Sequence, residues 1–75
     1  MNLKPFNKTI FAERLAELRK DKDISIQRLA KEINISNAAI SDWGNSKHIP
    51  TAEAIYLLAQ YFNVSTDFFF GLSDS

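Results

Sequence analysis

Few side chains in this sequence can make or break bonds. There is no cysteine, and His48 is the only histidine, set in a stretch that ends at Pro50. A general base or a metal centre needs histidine, cysteine or carboxylate groups converging on one point. No catalytic residue, metal ligand or cofactor site is therefore expected. Gly44 and Gly71, the two glycines, are too far apart to form a glycine-rich phosphate loop. The chain does offer hydrogen-bonding chemistry at close spacing, at Asn37, Ser41 and Asp42, with Ala38 as a small apolar neighbour. An amide donates and accepts at once, a hydroxyl does either, and a carboxylate only accepts. Such a set suits the recognition of a patterned edge and not covalent chemistry.

These residues must be held by the stretch from Ser25 to Trp43, SIQRLAKEINISNAAISDW. Ile26, Leu29, Ala30 and Ile33 recur at three- and four-residue steps and line one face of a short helix, and Ile40 and Trp43 do the same for a second. Between them lies Asn34-Ile35-Ser36. Asparagine suits a left-handed backbone position, Ile35 can plug the corner, and Ser36 can cap the next helix. The spacing predicts a helix-turn-helix over residues 25–43. On a wheel of about 100° per residue, Ile40 and Trp43 point inward, while Ala38, Ser41, Asp42 and Asn45 point the other way and Asn37 stands at the exposed N-terminal edge. In this motif the second helix enters the DNA major groove with its early residues on the base edges. Asn37 can pair bidentately with adenine, Ala38 can touch a thymine methyl, Ser41 is permissive, and Asp42 can accept from the cytosine amino group. A carboxylate near phosphates is repelled, so a second role is open to Asp42, pairing with Lys47.

The rest of the chain reads as support for that pair. Met1 to Phe6 is a lead-in in which Pro5 discourages helix. Asn7 and Thr9 are candidate caps for a helix to about Lys20, with Phe11, Ala12, Leu15 and Leu18 inward and Arg14, Glu17 and Lys20 outward. Asp21-Lys22-Asp23 forms a polar turn, and Ile24 leads to Ser25, a cap. Gly44 to Pro50 forms a loop, because Gly44, Asn45 and Ser46 favour turns and Pro50 blocks helix at Ile49. Thr51 caps a helix to about Phe62 whose inner face is Ile55, Leu58, Ala59 and Phe62. Asn63-Val64 closes it, Ser65 caps a last turn through Phe70, and Gly71 ends that turn in left-handed backbone. Trp43 is expected to be buried against Leu15, Leu29, Ala30 and Ile40. The expectation is one all-α, five-helix domain over residues 1–75.

Apolar residues are 45% of the chain, yet no run approaches the roughly 20 residues a bilayer span needs, and MNLKPFNK lacks the hydrophobic centre of a signal peptide. Packing alone must hold the domain, which suits a reducing cytoplasm.

Small Ala30 where two helix backbones approach, the turn at Asn34, and then Ile40 and Trp43 resemble the Cro and phage-repressor, or XRE-like, family of DNA-binding domains. The resemblance spans about residues 10 to 72. The loop from Asn45 to Thr51 resembles the family's N-G-K-x-x-P segment, and the stretch from Val64 to Gly71 resembles its V-S-x-D-x-L-x-G ending. The resemblance implies a lambda-repressor-like fold, a double-stranded DNA operator as partner, and a repressor or regulator role. It assigns base contact to the positions of Asn37, Ala38 and Asp42. Phosphate contact falls to Ser25, Ser36 and Asn45, read as donors at helix starts, supported by Arg28 and Lys47. The motif's first helix usually opens with a glutamine that touches phosphate and base. Here that position is Ile26, with Gln27 one step along as the expected phosphate contact. The usual acidic residue near the end of the second helix is Gly44, so the family's ion pair to Arg19 cannot form and Arg19 is left for a phosphate.

A net charge of zero argues against nucleic acid, whose binders usually carry a basic surplus. Its distribution does not. Residues 1–35 hold eight basic groups against five acids, and residues 36–75 hold Lys47 alone against four. A neutral total thus has room for one basic face, although ordinary solvated helices would look alike. A degenerate helix-turn-helix that binds protein, as an antitoxin or antirepressor target does, is the alternative. Phe68, Phe69 and Phe70 cannot all face one core at about 100° per residue. The family pattern points Phe69 inward, leaving Phe68 or Phe70, with Tyr61 and Leu72, as an exposed patch for a weak homodimer on two half-sites. The other outcome is a monomer whose tail folds over the patch.

Overall fold

Each helix begins at a side chain that accepts a hydrogen bond from a backbone N–H otherwise left unpaired at a helix start. In a computed structural model of the chain, which describes residues 1–3 and 5–75, the helices are α1 (Lys8–Lys22), α2 (Ile26–Ile33), α3 (Asn37–Gly44), α4 (Ala52–Phe62) and α5 (Thr66–Phe69). Asn7 Oδ1 accepts from Thr9 N at 2.9 Å and Ile10 N at 3.3 Å. Ser25, Ser36, Thr51 and Ser65 each accept through the side-chain oxygen from the residue three further on, at 3.1 to 3.2 Å. No strand occurs among the described residues, and none of their helices is long and apolar enough to cross a membrane.

Left-handed backbone ends α1, α2 and α4, and follows the C-cap of α5 at Gly71. Asn34 and Asn63 have φ of 56°, Asp23 of 53° and Gly71 of 75°. Asparagine and aspartate tolerate this region because a short polar side chain pairs locally. Two boundaries differ notably from expectation: Gly44 is the last residue of α3 and not the first of the loop, and α1 runs past Lys20. Asp21 and Lys22 are helical, and the turn is confined to Asp23, whose N–H donates to Lys20 O while Ile24 N donates to Arg19 O at 3.0 Å. That pairing satisfies the last carbonyls of α1 without a longer polar turn. At Gly71 any side chain would also meet Ile10 Cγ2 at 3.1 Å.

Packing buries Phe11 and Leu15 of α1, Leu29 and Ile33 of α2, Ile40 and Trp43 of α3, Ala54, Ile55, Leu58 and Ala59 of α4, and Phe69 of α5 in one core. Helix α1 packs on α3 and α5, and α2 packs on α3 and α4. Trp43 lies in this core with Leu15, Leu29 and Ile40, while Ala30 is half-buried beside it. The ring at its edge is Phe11, at 6.4 Å between centroids and 89° between planes. Phe11 also meets Phe69 at 5.3 Å, so it ties the helix-turn-helix to the C-terminal turn.

The C-terminal aromatics correct the expected patch. Phe68 is buried along with Phe69, because α5 sits between α1 and α4 and can bury two adjacent rings on two walls. Arg14 lies 4.4 Å above the Phe68 ring. It is therefore half-buried and covers an aromatic face, where an outward, solvated arginine was expected. Phe70 is half-buried under Phe6, ring centroids 5.8 Å apart, and Leu72 is exposed. The tail does return, with Ser65 N donating to Ser75 O at 3.2 Å, but the cover over Phe70 comes from the N-terminal lead-in.

Two backbone positions on either side of Asn45 carry the wrong residue for stability. Gly44 ends α3 with nothing within 4 Å of where a Cβ would stand, whereas Ser46 holds φ of 60°. Gly44→Ala is expected to stabilise the fold by about 0.5–1 kcal/mol through lower unfolded-state entropy. Ser46→Gly relieves about 1–2 kcal/mol of left-handed strain and costs about 0.5–1 kcal/mol in entropy, a small net gain. A lower urea midpoint for either variant would contradict this geometry.

Candidate nucleic-acid interface

The turn from α2 to α3 is closed by Asn34 in left-handed backbone and by Ile35 N donating to Ala30 O at 3.0 Å. Ile35 packs on the core, which fixes the direction in which α3 leaves. Asn37 and Ala38 then stand exposed at the start of α3. Asn37 shares a shallow cleft with Ser25, Gln27, Arg28, Ala30 and Lys31, so the starts of α2 and α3 open onto one surface. Ser25 and Ser36 spend their hydroxyl oxygens as caps, and Gln27 is exposed.

A second cleft adjoins the first through Ser25 and Arg28, and is lined further by Ala16, Arg19, Lys20, Asp23 and Ile24. Arg19, Lys20, Arg28 and Lys31 therefore form a basic strip from the end of α1 across α2 to the start of α3. Asp23 lines the same cleft and Glu32 is paired with Arg28, so the strip is a concentration of cations with acids among them. Lys20 and Lys31 join it without having been marked as site residues, since their side chains meet the others only once α1 and α2 are folded against each other.

The other site residues divide. Arg19 is not wholly free, because its Nη1 donates to Ile24 O at 3.2 Å and fastens the α1–α2 turn. A guanidinium has further donors to offer. Arg28 Nε donates to Glu32 Oε1 at 2.8 Å across one helical turn. That hydrogen bond first, and the Glu32 charge second, raise the Arg28 pKa, so the guanidinium stays charged at any working pH. The pair is exposed and easily opened. Ser41 is half-buried in the seam between α1 and α3, beside Arg19, Gly44 and Asn45, and does not share the open face of Asn37 and Ala38. Asn45 is the C-cap of α3, its N–H bonded to Ser41 O. The helix-start argument therefore does not apply to it, and only its side-chain amide remains to donate.

Asp42 is half-buried, and its Oδ2 lies 3.2 Å from His48 Nδ1. Lys47, the partner expected for it, touches Asp42 through the backbone alone, its N–H donating to Asp42 O at 2.9 Å. His48 was missed as a site residue because it stands six positions along, across a loop, where no helical spacing signals contact.

Capped helices at a fixed turn, an exposed polar start to the second helix, and a basic strip beside it define a helix-turn-helix domain of the transcription-regulator class. The chain belongs to the HTH_3 helix-turn-helix family, whose pattern matches residues 15–69. It is 33% identical over 57 residues to the HTH-type transcriptional activator BcrR of Enterococcus faecalis, covering 76% of this chain and 28% of that protein. Against the uncharacterized HTH-type transcriptional regulator YobD of Bacillus subtilis (strain 168) it is 28% identical over 65 residues, or 87% of this chain and 58% of YobD. The chain thus spans less than two thirds of either relative.

Among solved structures it resembles the SOS-response transcriptional repressor LexA from Eubacterium rectale, with a TM-score of 0.82 and 26% identity over 92% of this chain and 73% of that one. An HTH_3 family transcriptional regulator from Vibrio cholerae gives a TM-score of 0.75 and 25% identity over 85% and 36% of the two chains. The restriction-modification controller protein C.AhdI from Aeromonas hydrophila shares the fold, with a TM-score of 0.77 and 22% identity over 84% and 96%.

Proposed function

We propose that this chain binds double-stranded DNA sequence-selectively as the operator-reading domain of a cytoplasmic transcription regulator of the repressor type, with α3 in the major groove. The observation that carries this reading is the exposed start of α3, Asn37 and Ala38, opening onto the same surface as Ser25, Gln27, Arg28 and Lys31. Asn37, Ala38 and Asp42 are the base-reading residues, and Ser41, half-buried, sits at the edge of reach. Arg19, Ser25, Gln27, Arg28, Ser36, Asn45 and Lys47 hold the phosphates and set the register. No cofactor and no catalytic step enter this reading.

Selection of bound duplexes from a random pool, followed by footprinting of the winner, is expected to return a defined motif whose affinity falls steeply with salt, since phosphate neutralisation releases counterions. Lys47→Ala should weaken all sequences alike and reduce the salt slope by about one. Indifference to DNA at every salt concentration would favour the protein-interaction reading instead.

One helix-turn-helix makes few contacts, so a twofold dimer on half-sites about one DNA turn apart is the economical assembly. Phe68 is removed from its interface by burial, leaving Phe70 and Leu72 with Phe6 as the apolar surface beside the C-terminus. Sedimentation on a palindromic site should find two chains per duplex. A single chain on an asymmetric motif would exclude the dimer.

A further inference from the structure

Asp42 is the one acid among the base-reading residues, and α3 cannot approach the phosphates without meeting its repulsion. The structure sets His48 against it: Nδ1 lies 3.2 Å from Asp42 Oδ2, with the ring largely exposed. Among the described residues Asp42 has no other ion-pairing partner. The cation nearest in sequence is Lys47, on the same loop, which meets Asp42 through a backbone hydrogen bond.

We infer that His48 is a positioning and charge-compensating residue for Asp42, holding its carboxylate at the edge of α3 so that the helix can dock on DNA with one carboxylate oxygen left to accept from a base. This rests on the DNA-binding reading above. As an imidazolium, His48 donates from Nδ1 to Oδ2, cancels the carboxylate charge, and keeps a second N–H on Nε2. A neutral ring keeps at most the hydrogen bond. Oδ1 stays free, and the major-groove donor that carboxylates commonly read is the cytosine amino group. DNA phosphates add negative charge around this pair, which makes a cationic partner beside Asp42 worth more on DNA than off it.

The test measures binding of the tag-free protein to its selected duplex at one pH and constant salt, with His48→Gln, His48→Lys, Asp42→Asn and the double variant D42N/H48Q beside it. H48Q should bind about two- to fivefold more weakly than the wild type, the range of an exposed ion pair. H48K, which restores a cation at the same position, should recover binding. D42N should weaken the preference for cytosine at one position, and in its background H48Q should cost little further. Selective binding equally tight in the wild type and H48Q would overturn the role of His48 while leaving the DNA-binding reading intact. A folded protein that selects no duplex would overturn both.

Discussion

Trp43→Ala is expected to remove a large share of the domain's stability, about 3–5 kcal/mol. The indole is 6% exposed and sits at the meeting point of α1, α2 and α3, with the Phe11 ring against its edge. Truncating a buried tryptophan costs about 3–5 kcal/mol, counting both lost transfer energy and the cavity left behind. A domain of this size has about 4–11 kcal/mol in total, by the usual stability per residue. At the lower end of that range nothing would remain. A lowered thermal midpoint, and at that lower end loss of helical circular dichroism, would register the loss. Trp43→Phe, which keeps a ring against Phe11, should retain a cooperative transition. In the wild type the single tryptophan should fluoresce well to the blue of free tryptophan. Emission as red as the free amino acid would show that the core is not packed as described.

Asn37→Ala is expected to cost about 1–3 kcal/mol on the selected operator and to relax the preference at one base pair, because an amide that pairs bidentately with adenine cannot be replaced by water at equal gain. Stability should barely change, since the Asn37 side chain is exposed and the cap of α3 is Ser36, not Asn37. The two readouts separate recognition from folding. An unchanged selected motif for Asn37→Ala would show that α3 does not dock by its N-terminal residues.

Much of this fold is legible locally. Hydroxyl or amide side chains cap all five helices, and asparagine ends two of them in left-handed backbone. These features depend on a residue and its neighbours within four positions, so reading the chain in order finds them. The turn at Asn34 and the face it presents belong to the same class: once Ile35 is buried and Ser36 caps α3, Asn37 and Ala38 have nowhere to stand but at the open start of that helix. The basic surplus of residues 1–35 was legible as a count, though not as a strip.

The remaining features were settled by contacts that no helical spacing signals, whether across a short loop or between elements far apart in sequence. Arg14 covers Phe68, His48 pairs with Asp42 across a loop, Phe6 lies on Phe70, and Arg19 fastens the turn at Ile24. Three consecutive phenylalanines looked unable to share one core. That holds for a single wall, but α5 lies between α1 and α4 and buries Phe68 and Phe69 together. A helical wheel gives the angle of a side chain about its own axis and nothing about how many partners surround that axis. The sequence by itself determined the helices, their caps and the helix-turn-helix, because these rest on short-range hydrogen bonds and periodic burial. The tertiary structure decided which charges are already engaged and which aromatic rings stay open, because those depend on the distance between side chains that only packing brings together.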